Sequence, residues 1–238
     1  MSEPLRDVRE TLVVANHILA NERVVDGYGH VSARHPSDPQ RFLISRSIAP
    51  ELVTEPDILE CDLSGETADG TGRTSYLERY IHSEIYRTRP DVHAVVHSHS
   101  PSVVPFTISQ TPLRAVSQIG AFLGIDVPRF EIRDVAGDET DLLIRTRELG
   151  TALAASLGSA DIVLMRGHGM VVTGRSIKHA VYHAVVTETN ARLQSEAIAL
   201  GTPVTYLSAG EARSATKTQD ATIDRPWDLW RRKAEAGR

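Results

Sequence analysis

The 238-residue chain holds one cysteine, Cys61, and three lysines against 23 arginines. A single cysteine excludes an intrachain disulfide framework and fits a reducing compartment. The shortage of lysine reflects genomic base composition, although arginine is also the better fork for a carboxylate. There is no surplus of positive charge. The net charge of −5 and pI near 6.1 remove the electrostatic case for nucleic acid or an anionic membrane as partner. No run approaches the ~18–20 apolar residues of a membrane span. The opening Met1-Ser-Glu-Pro-Leu-Arg-Asp-Val-Arg-Glu10 is too polar for a signal peptide. Internal repeats and low-complexity tracts are also missing. A cytoplasmic, soluble protein is the expectation. With 41% hydrophobic and 24% charged residues, the length supports one sizeable core.

Against this plain background two histidines stand one residue apart, in Ala94-Val-Val-His97-Ser-His99-Ser100. The short apolar run before them follows a Pro90-Asp91 turn signal and reads as a buried strand. Strand residues i and i+2 share a face, so two imidazoles emerge together. His168 has a similar setting, where the apolar run from Ile162 enters Arg166-Gly-His-Gly169. Three histidines with an open position form a common catalytic site for Zn²⁺ or a related ion. Ordinary strand-end histidines bonded to backbone are the competing reading.

Helical and strand patterns alternate without a convincing linker, which predicts an α/β layered domain. Leu5, Val8, Leu12, Ala15 and Leu19 mark an N-terminal helix ending near Arg23. Gly27-Tyr-Gly leads into a strand at His30, Arg41–Ser45 forms a second, and Ile58–Leu63 a third before a glycine-rich loop reaching Thr74. Tyr76–Thr88 reads as a helix with Leu77, Ile81 and Ile85 on one stripe and Glu78 and His82 sharing the adjoining face. A carboxylate beside a metal moves protons when its pKa suits the task, while a surface Glu–His pair is the bland alternative. Ser100-Pro101 looks like the cap of a short helix, and Asp141–Leu157 and Ser176–Leu200 give the longest helical patterns. The tail stays polar until Pro226-Trp-Asp-Leu-Trp230.

Four motifs, Gly29-His-Val-Ser-Ala-Arg34, Glu78-Arg-Tyr-Ile-His-Ser-Glu-Ile-Tyr86, Arg89 to His99 and Arg166-Gly-His-Gly169, together resemble the class II aldolase/adducin N-terminal family. The resemblance covers a core of about residues 5–205 and treats 1–238 as one such domain. It implies a three-layer α/β/α sandwich around a mainly antiparallel sheet. It also implies a homotetramer with active sites between subunits, the 206–238 tail lying at an interface. One divalent ion per subunit would sit on His97, His99 and His168, with Glu78 as acid/base. Zn²⁺ is the first candidate, and Mn²⁺, Fe²⁺ and Co²⁺ are admitted by the same donors.

Departures from the sugar-phosphate aldolase pattern carry the specificity argument. His30 replaces the phosphate-binding Asn of G-N-[VI]-S. Ser45-Arg-Ser-Ile-Ala-Pro50 lacks the glycine of T-P-[TS]-G, and Tyr76-Leu77-Glu78 replaces S-S-E. A phosphorylated sugar is therefore not expected. The remaining pattern resembles the family's decarboxylases of hydroxy-aromatic dicarboxylates, such as dihydroxyphthalate or hydroxymethylpyridine-dicarboxylate. Candidate substrate contacts are His30, Ser45, Arg46, Ser47, Tyr76 and Gln118. Arg46 either forks a carboxylate or pairs with Glu51 or Glu55 in a surface turn, and Tyr76 and His30 stack on a flat hydroxylated ring or bond to it, unless Tyr76 simply packs. The favoured function is a metal-dependent carboxy-lyase acting on a hydroxylated aromatic or heteroaromatic acid. A retro-aldol lyase on a non-phosphorylated hydroxy-carbonyl compound, or a dehydratase, epimerase or iron-dependent oxygenase, would use the same scaffold. An adducin-like interaction module is the reading from a different class.

Overall fold

The computed structural model describes residues 2–68 and 72–236. The middle of the glycine-rich loop, 69–71, lies outside the described residues. Helix α1 (Glu3–Asn21) leads into strands β1 (His30–Arg34), β2 (Arg41–Ser45) and β3 (Ile58–Asp62). Helix α2 (Arg79–Thr88), strand β4 (Ala94–Ser98) and the short helix α3 (Val104–Ile108) follow. Strand β5 (Arg129–Phe130), helices α4 (Arg133–Ala136) and α5 (Arg147–Leu157), and strands β6 (Ile162–Met165) and β7 (Gly169–Gly174) come next. Helices α6 (Ile177–Ala199), α7 (Ala209–Asp220) and α8 (Asp224–Ala236) end the chain. The seven strands form one sheet in the order β3-β2-β1-β4-β7-β6-β5. Every pairing is antiparallel except β5 with β6.

Period-two alternation sorts the strand residues between two cores. Val31, Ala33, Ala94, Val96, Met170 and Val172 turn toward α1 and α6, where they pack with Leu12, Ala15, Ile18, Ala180 and Val181. Val95, Val163 and Val171 turn the other way, onto Ile81 and Ile85 of α2 and Leu153 and Leu157 of α5. The result is the three-layer α/β/α sandwich. His30, Ser32 and His97 occupy the α2 side of this alternation, and His30 stands opposite His97 in the β1–β4 register.

Several elements differ from the sequence expectation for local reasons. Helix α2 starts at Arg79, with Glu78 at its cap (φ −89°, ψ 19°), so Glu78 does not belong to the helical surface. Leu77 leaves the apolar stripe and is 61% exposed, while Ile81 and Ile85 are fully buried. The helix expected from Asp141 begins at Arg147, where the Thr146 side chain accepts from the Leu149 N–H. Before it, Thr140 Oγ1 and Asp141 Oδ1 take the N–H groups of Leu142 and Leu143, side-chain bonds that compete with a helix. Ser100-Pro101 forms a turn, its Ser100 carbonyl accepting from Val103 and Val104, and α3 starts only at Val104. The tail is not merely polar: α7 and α8 are helical, and Trp227 is buried in the α1/α6 core. Among the described residues no helix is long and apolar enough to cross a membrane.

Candidate active site

Three imidazoles meet at the carboxyl end of β4. His97 is its penultimate residue, His99 lies just beyond its end, and His168 sits in the tight turn joining β6 to β7. Gly167 holds φ +66° in that turn, and its N–H donates to Thr107 Oγ1 at 3.0 Å. Gly169 has a different reason to lack a side chain. A Cβ there would overlap the Ser98 carbonyl, so the approach of β7 to the His97-Ser98-His99 segment requires glycine.

The ring orientations are set by backbone carbonyls. His97 Nδ1–H donates to Met170 O at 3.0 Å, and His168 Nδ1–H donates to Leu142 O at 2.9 Å. Donation from Nδ1 leaves Nε2 of each neutral ring as an acceptor. His97 Nε2 lies 3.1 Å and His168 Nε2 lies 2.9 Å from His99 Nε2. Glu78 Oε2 is 3.5 Å from both His97 Nε2 and His168 Nε2. Acceptors gathered this closely repel one another unless a positive charge lies among them. Donors about 2.05 Å from a tetrahedral ion stand ~3.3 Å apart, so His97, His99, His168 and Glu78 fit a divalent cation of the zinc type. These four form the one cluster of metal-ligating geometry among the described residues.

Glu78 is held at both oxygens. Oε1 accepts from the Ile144 N–H at 2.9 Å while Oε2 faces the imidazoles. Burial acts to raise the pKa of this carboxyl, while positive charge at His97 and His168 lowers it well below the usual carboxylate range when those rings are protonated. Leu142, two residues before Ile144, has φ +68°. A non-glycine residue rarely adopts this conformation, and here it turns the carbonyl onto His168.

The cluster opens into a cavity of about 550 Å³ whose walls include Tyr28, His30, Ser47, Ile48, Tyr76, Leu77, Glu78, His99 and Leu143. Among the described residues no arginine or lysine lines it. Tyr76 contributes its ring face, because its hydroxyl is already engaged with Ser45 Oγ at 2.8 Å and Ile48 O at 2.7 Å. His30 packs on that face with ring centroids 4.5 Å apart. Burial, followed by the charges of neighbouring histidines, pushes His30 well below its ordinary pKa, and burial pushes His82 down to about 3.

His30, Ser47, Tyr76, Glu78 and His99 therefore share one cavity, with His97 and His168 at the same cluster. Ser45 lies behind Tyr76. Arg46 is elsewhere: its Nε donates to Asp57 Oδ1 at 2.6 Å, and Asp57 also takes the Thr54 N–H and hydroxyl. Its partner is thus neither a cavity ligand nor Glu51 or Glu55. Gln118 is exposed, in a loop that Asn190 and Gln194 of α6 pin through Val116 N–H, Arg114 N–H and O, and Pro112 O. It does not line the cavity. Sequence reasoning missed Leu142, Ile144 and Met170, which act through backbone atoms and carry no side-chain signal. It also missed Tyr28, which stacks on His99 with centroids 6.1 Å apart.

Residues 10–195 match the family described as Class II Aldolase and Adducin N-terminal domain. The chain belongs to this family. It is 34% identical to decarboxylase tropJ of Talaromyces stipitatus, an alignment covering 95% of this chain and 94% of that one. It is 31% identical to 3,4-dihydroxyphthalate decarboxylase of Arthrobacter keyseri, covering 81% of this chain and 79% of the relative. An aldolase II superfamily protein from Pseudomonas syringae, known from its crystal structure, superposes with TM-score 0.82 at 26% identity, covering 100% and 95% of the two chains.

Proposed function

We propose that this family member is a metal-dependent carboxy-lyase that removes CO₂ from a hydroxylated aromatic or heteroaromatic acid. The observation that carries the reading is the meeting of a His₃–Glu cluster with a cavity whose walls are largely ring faces and aliphatic side chains. Among the described residues a phosphate would find no arginine or lysine on those walls, whereas a flat ring finds Tyr76, Ile48, Leu77 and Leu143. The names of the relatives agree with decarboxylation.

His97, His99 and His168 would hold a divalent ion, which would supply Lewis acidity to the substrate. The rest falls to the protein. Glu78, ionised before substrate enters, takes the phenolic proton on Oε2 and returns it to the ring carbon that bears the carboxylate. The C–C electron pair goes back to the ring as CO₂ leaves, and the product phenolate takes a proton from water. The Ile144 N–H keeps the carboxyl aimed while its proton comes and goes. Tyr28 and Leu77, 71% and 61% exposed at the cavity wall, are surfaces that a neighbouring subunit covers in the proposed homotetramer. The 206–238 tail is proposed to serve another subunit contact.

The test is CO₂ release from a panel of ortho-hydroxy aromatic mono- and dicarboxylates, with metal-loaded and chelator-treated protein. Metal-dependent CO₂ release from at least one member is the expected result. An aldehyde or ketone formed from hydroxy-carbonyl compounds, with no CO₂ from any acid, would transfer the site to retro-aldol cleavage.

A further inference from the structure

Behind His30 runs a line of hydrogen bonds with no access to solvent. Tyr86 hydroxyl and Ser32 Oγ are 2.7 Å apart, Ser32 Oγ and His82 Nδ1 2.6 Å, and His82 Nε2 and His30 Nδ1 2.6 Å. Ser32 and His82 are fully buried, Tyr86 is 2% exposed and His30 3%. β1 presents His30 and Ser32 on one face, and one turn of α2 separates His82 from Tyr86, so two short periodicities interlock into a single chain.

The direction of the protons follows from its inner end. Burial raises the Tyr86 pKa, so the phenol keeps its proton. Among the described residues Ser32 Oγ is the one side-chain hydrogen-bond partner of the phenol oxygen. Ser32 Oγ is then the acceptor available to the Tyr86 O–H, and a buried hydroxyl without an acceptor would be costly. Ser32, having accepted from Tyr86, directs its own proton to His82 Nδ1. A neutral His82 then carries its proton on Nε2 and donates to His30 Nδ1. His30 Nδ1 becomes the acceptor, leaving the His30 proton on Nε2. That nitrogen has no hydrogen-bond partner among the described residues, yet it is absent from the fully enclosed unpartnered atoms, so it opens onto the cavity that His30 lines.

We propose that Tyr86, Ser32 and His82 are positioning residues that lock His30 in its Nε2–H tautomer, making it a fixed hydrogen-bond donor to an anionic oxygen of the substrate. The inference rests on reading the cavity as the active site. An unlocked imidazole would offer the oxygen a lone pair in part of the population, and an acceptor facing an oxyanion is repulsive. The lock therefore supplies a donor already oriented for developing negative charge.

Neutron diffraction from deuterium-exchanged crystals of the zinc-loaded, full-length protein tests this without reference to turnover. Deuterium is expected on Nε2 of His30 and of His82, with both Nδ1 atoms bare. Deuterium on His30 Nδ1 would overturn the proposal. Tyr86→Phe preserves the packed ring but removes the first proton. It should spread deuterium over both His30 nitrogens and lower kcat about tenfold or more, with a smaller change in KM. A Tyr86→Phe protein with wild-type kcat and an undivided Nε2 deuterium would reduce Tyr86 to a packing residue. Failure of every acid to release CO₂ would remove the proposed reaction while leaving the proton positions decided. A wrong tautomer in an active decarboxylase would instead remove this inference alone.

Discussion

The main-chain N–H of Ile144 donates to Glu78 Oε1 across 2.9 Å, joining the cap of α2 to the loop that precedes α5. That bond fixes one carboxylate oxygen and leaves the other to the imidazoles. The loop serves the site twice, since Leu142 O orients His168.

Glu78→Gln should separate proton transfer from metal binding. The amide retains the size of the carboxyl and an acceptor for Ile144, while three histidines remain to hold the ion. Metal content near wild type is expected with turnover reduced ~10²–10⁴-fold, the usual value of a positioned acid/base. Elemental analysis and CO₂ release on the same preparation measure both. Turnover within a few-fold of wild type would exclude Glu78 from proton transfer.

Single replacement of His97, His99 or His168 by Ala should each abolish stoichiometric metal and turnover while circular dichroism stays close to native. Gly169→Ala offers an indirect route to the same loss. Its methyl would press on the Ser98 carbonyl and displace the segment between His97 and His99. Reduced metal occupancy in Gly169→Ala, with all ligands chemically intact, is the expected outcome. Full occupancy would mean that the strands separate without moving His97 or His99.

Arg46→Ala addresses the residue most suggestive of carboxylate recognition. Its guanidinium is engaged with Asp57 at a position 40% exposed, so its loss should cost about 1 kcal/mol or less in urea unfolding. Hydroxy-aromatic diacids and their mono-acid analogues should lose kcat/KM equally and little. A selective loss on diacids would show that Arg46 leaves Asp57 to meet a second carboxylate.

His179 should shape the acid limb of stability. Burial first, then Arg175 and His183, lower its pKa to about 4 from 6.5, against opposing effects of Asp220 and Asp224. Its Nδ1 faces Ser176 Oγ, and its enclosed Nε2 has no hydrogen-bond partner among the described residues. Below pH 6.5 the unfolded chain takes up a proton that the native state refuses. Stability from this group is thus complete above about 6.5, declines toward about 4 and then levels. His179→Gln should flatten that decline in unfolding free energies measured from pH 7 to 4. An unchanged slope would assign the limb to other groups.

The sequence by itself determined the sheet faces and which histidines cluster. Alternation in Ala94–Ser98 dictates that His97 shares a face with Val95, and glycines on both sides of His168 permit a tight turn between two apolar strands. Such rules act over two to four residues and can be read locally. Helical periodicity failed at both ends of the Glu78–Ile144 bond for a common reason. Each segment has helix-compatible residues, but its polar groups bond elsewhere: the Leu142 and Leu143 N–H groups to Thr140 and Asp141, and the Ile144 N–H to Glu78, 66 positions away. Arg46 shows the same limit: a guanidinium between two serines looks available until folding brings up Asp57, already held by Thr54. Tertiary structure alone decided which polar groups are engaged and which remain free for chemistry, because hydrogen-bond partners distant in sequence become known only when the chain has closed around them.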